Sequence, residues 1–443
     1  MTALASPKVI PTQAAEPVSG NYYVAAYPPF SAWLPDQVSP LQYILEEPPS
    51  AAPFGIYVHI PFCQKKCDYC YYLSYIGQNA ETVNRYLETL IREAVLYSQR
   101  PALRDRKVSF VYFGGGTPST LSIPQLKFLG DGLRGLFDWN HVEEICFEVA
   151  PRSVRPEFLK ALRDLGVNRI SMGGQSFDNT LLKLNGRIHL AEDVVRAYEL
   201  ICNAGFKFVN LDLMCGLIGE TPEQWHRTID RALELSPDSI TIYQTEIPHN
   251  TQLYRDFKSN SLRFSPATWE TKRGRLLSGF DALERAGYTV VSAYNAVKEP
   301  ELHGFKYQDY LWRGADMLGL GVASFGYFGG VHFQNEATLE KYEAAIDEGR
   351  IPTKRAYCLS DRDQLVREFV LQLKFGEVSE IYFQNKFGVK LSELFAQPLR
   401  ELANAGFLVI FPDKIRLTRA GLLRVDGFLS RFYDPQFQEI RYT

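Results

Sequence analysis

The sequence has no run of about 18 uninterrupted apolar residues, so it contains no candidate membrane-spanning helix. Its first thirty residues lack the charged start and continuous apolar core of a signal peptide, which predicts a cytoplasmic protein. Charge of one sign is lacking too: 48 Lys and Arg stand against 51 Asp and Glu, a net charge of −3. We therefore expect neither nucleic acid nor a membrane as a partner.

Cysteine is scarce, with seven thiols in 443 residues, and this odd number argues against a disulfide framework. Three of the thiols, Cys63, Cys67 and Cys70, fall within eight positions. Such a cluster suits metal ligation in a reducing compartment. The other four are scattered, and we expect them to behave as small hydrophobic residues without chemistry: Cys146, Cys202, Cys215 and Cys358.

What the sequence does contain, after Gly55, is a regular alternation of short apolar runs with longer segments of helical period. Residues 122–124, 155–156 and 221–222 place a cap or a first-turn proline before such segments. Six strands are predicted: GIYVHI (55–60), VSFVYF (108–113), EICFEV (144–149), NRISM (168–172), FVNLDLM (208–214) and SITIY (239–243). The alternation predicts an α/β fold, a partial barrel of six strand–helix units, with a doubly wound sheet as the alternative.

Three regions are predicted along the chain. Residues 1–53, rich in Pro and Ala with aromatic islands, form an extended arm, and residues 54–330 form the barrel with extra sheet elements. Within the barrel region we expect a helix over 269–286 and a strand over 288–294. Residues 331–443 form a mainly helical domain with a winged-helix-like outline. The weak net charge makes a docking or lid role more favourable than DNA binding.

The three clustered cysteines form a C-x3-C-x2-C run directly after the first predicted strand. This position is the ligand-binding end of the predicted barrel. Four-iron clusters usually have four Cys ligands, so three thiolates from one loop leave one iron open to another ligand. A zinc site and a set of buried structural thiols are the alternatives.

This loop resembles the signature of the radical S-adenosylmethionine (SAM) superfamily. The run YVHIPFC resembles in particular its oxygen-independent coproporphyrinogen III oxidase branch, which includes heme chaperones and radical methyltransferases. The resemblance extends from about Tyr22 to the C-terminus. It implies a partial (β/α)6 TIM-like barrel and a HemN-like C-terminal domain. It also implies a [4Fe–4S] cluster on Cys63, Cys67 and Cys70, whose open iron is chelated by SAM.

The resemblance further implies the chemistry and the partners. An electron from the cluster cleaves SAM to methionine and a 5′-deoxyadenosyl radical, which abstracts hydrogen from carbon. We expect a monomer that takes its electron from a flavodoxin or ferredoxin. The aromatic-rich segments CYYLSY and TIYQTEIPHNT suit a flat conjugated small molecule as substrate.

The glycine run after the second strand matches the family's SAM-binding glycine motif. By that match Gly115, Gly116 and Thr117 hold the SAM amino group, whereas a tight turn without a ligand is the alternative reading. Tyr57 matches a tyrosine that packs near the sulfonium, with core packing as its alternative, and Tyr69 is predicted to contact SAM as well.

Four polar positions match family residues that bind SAM or a second SAM molecule: Glu148, Gln175, Arg187 and Asp212. For the two carboxylates the alternative is capping of backbone amides, and for Arg187 it is a surface salt bridge. Because all four positions match, a second SAM is favoured.

Tyr72 departs from the family pattern, since coproporphyrinogen dehydrogenases carry another Cys two residues after the third motif Cys. This departure weakens the decarboxylase assignment, although the segment YYVAAYPPFSAW resembles that enzyme's Tyr-Pro arm, which heme chaperones generally lack. The sequence interpretation therefore prefers methyl or methylene transfer with two SAM, methylation or cyclopropanation of an unsaturated carbon. Oxidative decarboxylation of coproporphyrinogen III and a heme chaperone without turnover are the alternatives. Tyr72 is the predicted proton or hydrogen donor.

Overall fold

The structure is a computed structural model that describes residues 17–20 and 22–438. The start of the predicted arm, before Pro17, and the last five residues of the predicted C-terminal domain lie outside the described residues. Within the described part, no helix has the length and apolar run of a membrane span.

The six apolar runs predicted for the barrel coincide with strands of the structure to within three residues at either end. In chain order the strands of the described chain are β1 Phe54–Ile60, β2 Phe62–Cys63, β3 Tyr75–Ile76, β4 Val108–Gly115, β5 Glu144–Val149, β6 Arg169–Gln175, β7 Phe208–Cys215, β8 Ser239–Gln244, β9 Thr289–Val290, β10 Asn295–Val297, β11 Asp316–Leu320, β12 Phe325–Phe328, β13 Val331–Asn335, β14 Thr353–Cys358, β15 Glu377–Ser379, β16 Leu408–Ile410 and β17 Lys414–Leu417.

The central sheet follows the order β14-β13-β12-β11-β1-β4-β5-β6-β7-β8-β10-β9. The six strands β1 and β4–β8 are parallel and neighbour one another in chain order. The doubly wound alternative is wrong, because that topology reverses strand order at a switch point and this sheet does not. The predicted partial barrel is confirmed, and β10–β14 extend it at its two edges.

The helices lie between the strands, as the cap residues predict. Ser122 and Thr221 both accept hydrogen bonds in capping boxes at helix starts that carry an early proline. In chain order the helices are α1 Ser39–Leu45, α2 Ala80–Ser98, α3 Ile123–Leu136, α4 Pro156–Asp164, α5 Asn179–Leu184, α6 Ala191–Asn203, α7 Pro222–Leu235, α8 Gln252–Lys258, α9 Trp269–Arg285, α10 Pro300–His303, α11 Lys306–Trp312, α12 Leu339–Asp347, α13 Asp361–Leu373, α14 Glu380–Phe387, α15 Leu391–Leu394, α16 Ala396–Asn404, α17 Arg419–Leu422 and α18 Val425–Phe428.

Two local predictions are corrected. The strand predicted over 288–294 is reduced to the two residues of β9, and the chain pairs again only in β10, antiparallel to β8. Tyr294, inside the predicted strand, hydrogen-bonds across to Ile242 from a loop instead. The arm is not wholly extended either, since it contains α1 and two short 3-10 helices, Phe30–Ala32 and Pro35–Gln37.

The C-terminal part is mainly helical around the three-stranded antiparallel sheet β15-β17-β16. The helix α16 ends before Gly406, and β16 and β17 form the hairpin that Pro412 and Asp413 predict. Its apolar core also contains Val24 and Tyr27 of the arm and Trp312 of α11. The arm therefore packs against both other regions, and the domain boundaries at 53 and 330 stay a prediction.

Candidate active site

The cysteine loop starts at the carboxyl end of β1 and is held at both of its ends. Cys63 ends β2, which pairs in parallel with β3, and Tyr75 donates its backbone N–H to Pro61 at 2.8 Å. Between these anchors the chain turns tightly, with the Cys70 N–H donating to the Cys67 carbonyl at 3.1 Å. All three clustered thiols are half-buried.

The thiols meet hydrogen-bond donors that suit thiolates. Thr117 Oγ1 donates to Cys63 Sγ at 3.4 Å, and Arg187 Nη1 donates to Cys67 Sγ at 3.0 Å. Burial raises the pKa of the metal-free Cys70 thiol to about 11.

The cysteine set fits an iron–sulfur cluster better than a single metal ion. No three His, Cys, Asp or Glu side chains converge on one ion within residues 17–20 and 22–438, so the zinc alternative is not supported. In a four-iron cluster the thiolates bind separate irons and need no such convergence.

The glycine turn after β4 packs directly against the cysteine segment. Gly116 and Thr117 donate their N–H groups to the Ile60 and Phe62 carbonyls, both at 2.8 Å. A Cβ on Gly116 would lie 2.9 Å from those two carbonyl oxygens, and Gly115 has a φ of +112°. The turn therefore requires glycine for its own shape, and it brings backbone amides beside Cys63.

Glu148 and Asp212 lie half-buried at the carboxyl ends of β5 and β7. Glu148 accepts hydrogen bonds from the Tyr112 hydroxyl at 2.8 Å and from the Gly115 N–H at 3.3 Å. Asp212 accepts from Ser171 at 3.1 Å and Asn210 at 2.8 Å. Burial raises the pKa of Glu148 to about 7 and that of Asp212 to about 6. Of the two carboxylates, Glu148 alone accepts a backbone hydrogen bond in the described part of the chain, from Gly115, as the capping alternative predicts.

Gln175 and Arg187 each present a buried polar atom that has no partner among the described residues, Oε1 and Nε respectively. Gln175 adopts a φ of +67° where the pairing of β6 with β7 shifts register. Arg187 Nη2 donates to the Gly173 carbonyl at 3.0 Å and lies 3.3 Å from His189 Nδ1. Its contacts are therefore a thiol, a carbonyl and an imidazole rather than the surface salt bridge weighed from the sequence. Orphaned buried polar atoms in a cleft indicate a polar ligand.

Three predicted tyrosines lie at the same end of the barrel as the cysteine loop. The Tyr57 hydroxyl is hydrogen-bonded to His59 Nδ1 at 3.1 Å, and burial lowers the pKa of His59 to about 4. The Tyr69 hydroxyl is buried without a partner among the described residues. Tyr72 is 48% exposed and stacks on Tyr71, with ring centroids 4.5 Å apart. The structure thus brings all the predicted site residues together, while their individual roles stay predictions.

Two connected spaces open at this end of the barrel. The cofactor cleft, about 410 Å³, lies over the cysteine loop, the glycine turn, Gln175 and Arg187. The chamber, about 770 Å³, extends from Tyr57 and Asp212 toward β12 and α13. Both spaces are lined by Tyr23, Lys66, Tyr71, Tyr72, Gly115, Glu148, Ser171, Asp212, Tyr243 and Tyr294.

The arm and the C-terminal domain complete these walls, which the sequence interpretation did not anticipate residue by residue. Tyr23 donates its N–H to Glu246 Oε1 at 2.7 Å, and Val24 donates to Asp426 Oδ1 at 2.9 Å. Tyr22 stacks on Trp269 with centroids 4.0 Å apart. The aromatic islands of the arm were the available signal, but their partners lie hundreds of residues away.

The fold and the site together define a radical SAM enzyme. The sequence profile of the Radical SAM superfamily matches residues 57–232, and that of the HemN C-terminal domain matches residues 359–424. The superfamily implies a [4Fe–4S] cluster and SAM as cofactors, as the cysteine loop predicts.

Relatives and a solved structure narrow the family. The chain is 31% identical to the heme chaperone HemW of Bacillus subtilis over 370 residues, 83% of this chain and 96% of that protein. It is 30% identical to the oxygen-independent coproporphyrinogen III oxidase of Escherichia coli over 397 residues, 86% of this chain and 85% of that protein. The structure of coproporphyrinogen III oxidase (HemN) from Escherichia coli superposes with a TM-score of 0.80 at 26% identity, covering 93% of this chain and 96% of that chain.

The chain belongs to the family of oxygen-independent coproporphyrinogen III oxidases and HemW heme chaperones within the radical SAM superfamily. The resemblance stated from the sequence is confirmed. The preference for methyl transfer is not supported, because the relatives described above are an oxidase and a chaperone.

Proposed function

We propose that this enzyme carries out radical oxidation of a coproporphyrinogen-type tetrapyrrole, converting propionate side chains to vinyl groups. The observation that carries the proposal is the tyrosine-walled chamber of about 770 Å³ that opens directly into the cofactor cleft. Aromatic walls suit the pyrrole rings of such a tetrapyrrole, each of which is a flat aromatic ring. The identity and near-complete coverage shared with the Escherichia coli oxidase support the same substrate class.

When bound, the cluster and SAM would supply radical abstraction of hydrogen from carbon. The chain contributes position and electrostatics. Cys63, Cys67 and Cys70 would hold the cluster, and the guanidinium of Arg187 stabilises thiolate charge at Cys67. The amides of the glycine turn and the Glu148 carboxylate offer polar contacts to a zwitterionic ligand beside the cluster.

The chain also excludes water from the reaction. The arm crosses the space between the barrel and the C-terminal domain through Tyr23 and Val24, whose backbone N–H groups donate to Glu246 and Asp426. Exclusion of water protects a reactive radical from side reactions. Conversion of one propionate to a vinyl group would transfer one hydrogen atom to the radical that SAM supplies, pass one electron to an external one-electron acceptor and release carbon dioxide. The chamber would therefore hold the propionate beside the cofactor cleft.

Methyl or methylene transfer with two SAM molecules is a second candidate. It is favoured by Tyr72, which occupies the place of the additional oxidase Cys and lies in the shared wall of both spaces. Polar groups line both spaces: Arg187 and Gln175 line the cleft, whereas Glu148 and Asp212 line the cleft and the chamber, and the two spaces together leave room for two ligands.

One anaerobic assay separates these functions. The purified protein is reconstituted with iron and sulfide, given SAM, a strong reductant and coproporphyrinogen III, and its products are quantified by mass spectrometry. Decarboxylated tetrapyrrole with 5′-deoxyadenosine is the expected result. S-adenosylhomocysteine together with deoxyadenosine on a different substrate would replace it with methyl transfer. Stoichiometric heme binding without SAM consumption would instead indicate a chaperone.

A further inference from the structure

One end of the chamber contains two arginines, Arg355 on β14 and Arg367 on α13. Both lie far from the cysteine loop in sequence. We define this distal end by these arginines and by Phe30, Tyr327 and His332, all of which line the chamber. None of the five belongs to the cofactor cleft.

Arg367 is buried with little to balance its charge. The residue is only 2% exposed, its Nη2 donates to the Leu311 carbonyl at 3.2 Å, and its guanidinium lies 3.9 Å from the centroid of the Tyr327 ring. Its Nε and Nη1 have no partner among the residues that the structure describes. A buried charge without a counter-ion is unfavourable unless a ligand supplies one.

Arg355 is half-buried and also lacks a charged partner. Its Nε donates to Gln334 Oε1 and its Nη1 to the Phe30 carbonyl, both at 2.7 Å, and both acceptors are neutral. Across residues 17–20 and 22–438, no carboxylate lies within ion-pair distance of Arg355 or Arg367.

The acids closest in this region are already engaged. Asp316 pairs with Arg106 at 2.6 Å and accepts the Gly329 N–H at 2.8 Å. Glu368, next to Arg367 in sequence, pairs with Lys386 at 2.6 Å. His332 supplies no negative charge either, because a histidine side chain is neutral or positive. Its Nε2 lies 3.1 Å from the Tyr27 carbonyl. The distal end is therefore a cationic pocket with an aromatic floor.

We propose that this distal end binds a carboxylate of the substrate, with Arg367 and Arg355 as its anchoring groups. The inference deepens the proposed function and rests on it, because a coproporphyrinogen carries several carboxylates at the rim of its macrocycle. Arginine forks bind carboxylates through paired hydrogen bonds, and the aromatic floor of Tyr327 and His332 accommodates the adjoining ring edge. One anchored carboxylate would direct a different side chain toward the cofactor cleft.

The test compares charged and neutral probes of the same shape. Wild type, Arg367→Met and Arg355→Gln are titrated with coproporphyrin III and with its tetramethyl ester in the same mild detergent. Loss of a hydrogen bond to a charged group predicts about ten- to a hundredfold weaker binding of coproporphyrin III to Arg367→Met. The ester should bind wild type and variant alike. Arg350→Met, an exposed arginine paired with Glu348, is the control for net charge.

A second pair of probes separates the anchor from the tetrapyrrole. The anionic dye 1-anilinonaphthalene-8-sulfonate and its neutral analogue N-phenyl-1-naphthylamine differ by the sulfonate. Arg367→Met should weaken only the anionic dye. If coproporphyrin fails to bind wild type while this discrimination holds, the proposed function fails and the anion site stands.

Two results would overturn the proposal. One is unchanged affinity for both anionic probes in Arg367→Met and Arg355→Gln. The other is an equal loss for anionic and neutral probes, which would indicate a change of shape. Urea unfolding keeps the comparison interpretable: removal of an unpaired buried charge should leave the unfolding midpoint of Arg367→Met no lower than that of wild type.

Discussion

The cofactor cleft and the distal end of the chamber are built from differently spaced parts of the chain. The cleft is made from short motifs at the carboxyl ends of successive parallel strands, such as the cysteine loop after β1 and the glycine turn after β4. The distal end joins Phe30 of the arm, β12–β14 and α13, which are far apart in sequence. Chemistry common to a superfamily can therefore stay fixed in local motifs, while substrate contacts depend on long-range packing.

The largest effect is expected from a substitution that changes the cofactor cleft and leaves the distal end intact. Replacing Cys67 with Ala removes one of the three proposed cluster ligands and the acceptor of the Arg187 hydrogen bond, so formation of 5′-deoxyadenosine should fall to background. Mass spectrometry of the reconstituted protein measures it. Cys202→Ala, an exposed thiol outside the loop, should keep wild-type turnover. Full turnover in Cys67→Ala would refute the cluster assignment.

The next largest effect is expected from a substitution that removes a contact between the arm and the C-terminal domain. Asp426 pairs at 2.8 Å with Lys374, whose side chain is fully buried, and it also accepts the Val24 N–H. Asp426→Asn leaves that ammonium without its counter-ion, and we expect a loss of about 3–5 kcal/mol in the free energy of unfolding. Urea denaturation provides the measurement.

The matched control for Asp426→Asn is Asp413→Asn in the exposed turn between β16 and β17, which should be neutral. Equal unfolding midpoints for Asp426→Asn and wild type would show that the arm is not held through this pair.

A smaller effect is expected in the pH dependence of stability, which tests the buried carboxylates of the cofactor cleft. The pKa of Glu148 rises from 4.5 unfolded to about 7 folded, so between these values the folded state keeps a proton that the unfolded state has released. Wild type therefore loses stability as pH rises through this window, and Glu148→Gln does not. The variant's unfolding free energy relative to wild type should increase by about 1–3 kcal/mol from pH 4.5 to 7.

Asp212→Asn provides the companion measurement, because its window is displaced downward and ends near pH 6. Urea unfolding of the metal-free protein at several pH values tests both variants. A stability difference that does not change with pH would contradict the raised pKa of the carboxyl concerned.

The smallest effect concerns Tyr57, whose hydroxyl is hydrogen-bonded to His59 at 3.1 Å. Tyr57→Phe should lower the free energy of unfolding by about 0.5–1.5 kcal/mol, and Tyr43→Phe, at a 74% exposed position, should not. If Tyr57→Phe lowers turnover while the protein stays fully folded under the assay conditions, the hydroxyl contacts the reacting groups.

The sequence predicted the cleft well because its information is local. Six apolar runs and the caps Ser122 and Thr221 place the strands and helices, and the motifs follow directly at the strand ends. The strand over 288–294 was mispredicted, because the chain turns back after β9, with the Val291 and Ser292 N–H groups donating to the Asn295 carbonyl, and Tyr294 is buried in this turn. Arg355 and Arg367 carried no signal, since each is an ordinary charged residue until the fold removes it from every acid.

The hydrogen bond between Val24 and Asp426 joins residues 402 positions apart, which has a consequence for the order of assembly. The arm is synthesised long before its partner in the C-terminal domain. It therefore cannot dock through Asp426 until that domain has been made. The wall that Tyr23 adds to the cofactor cleft is consequently completed after the barrel strands β1 and β4–β8 have been synthesised.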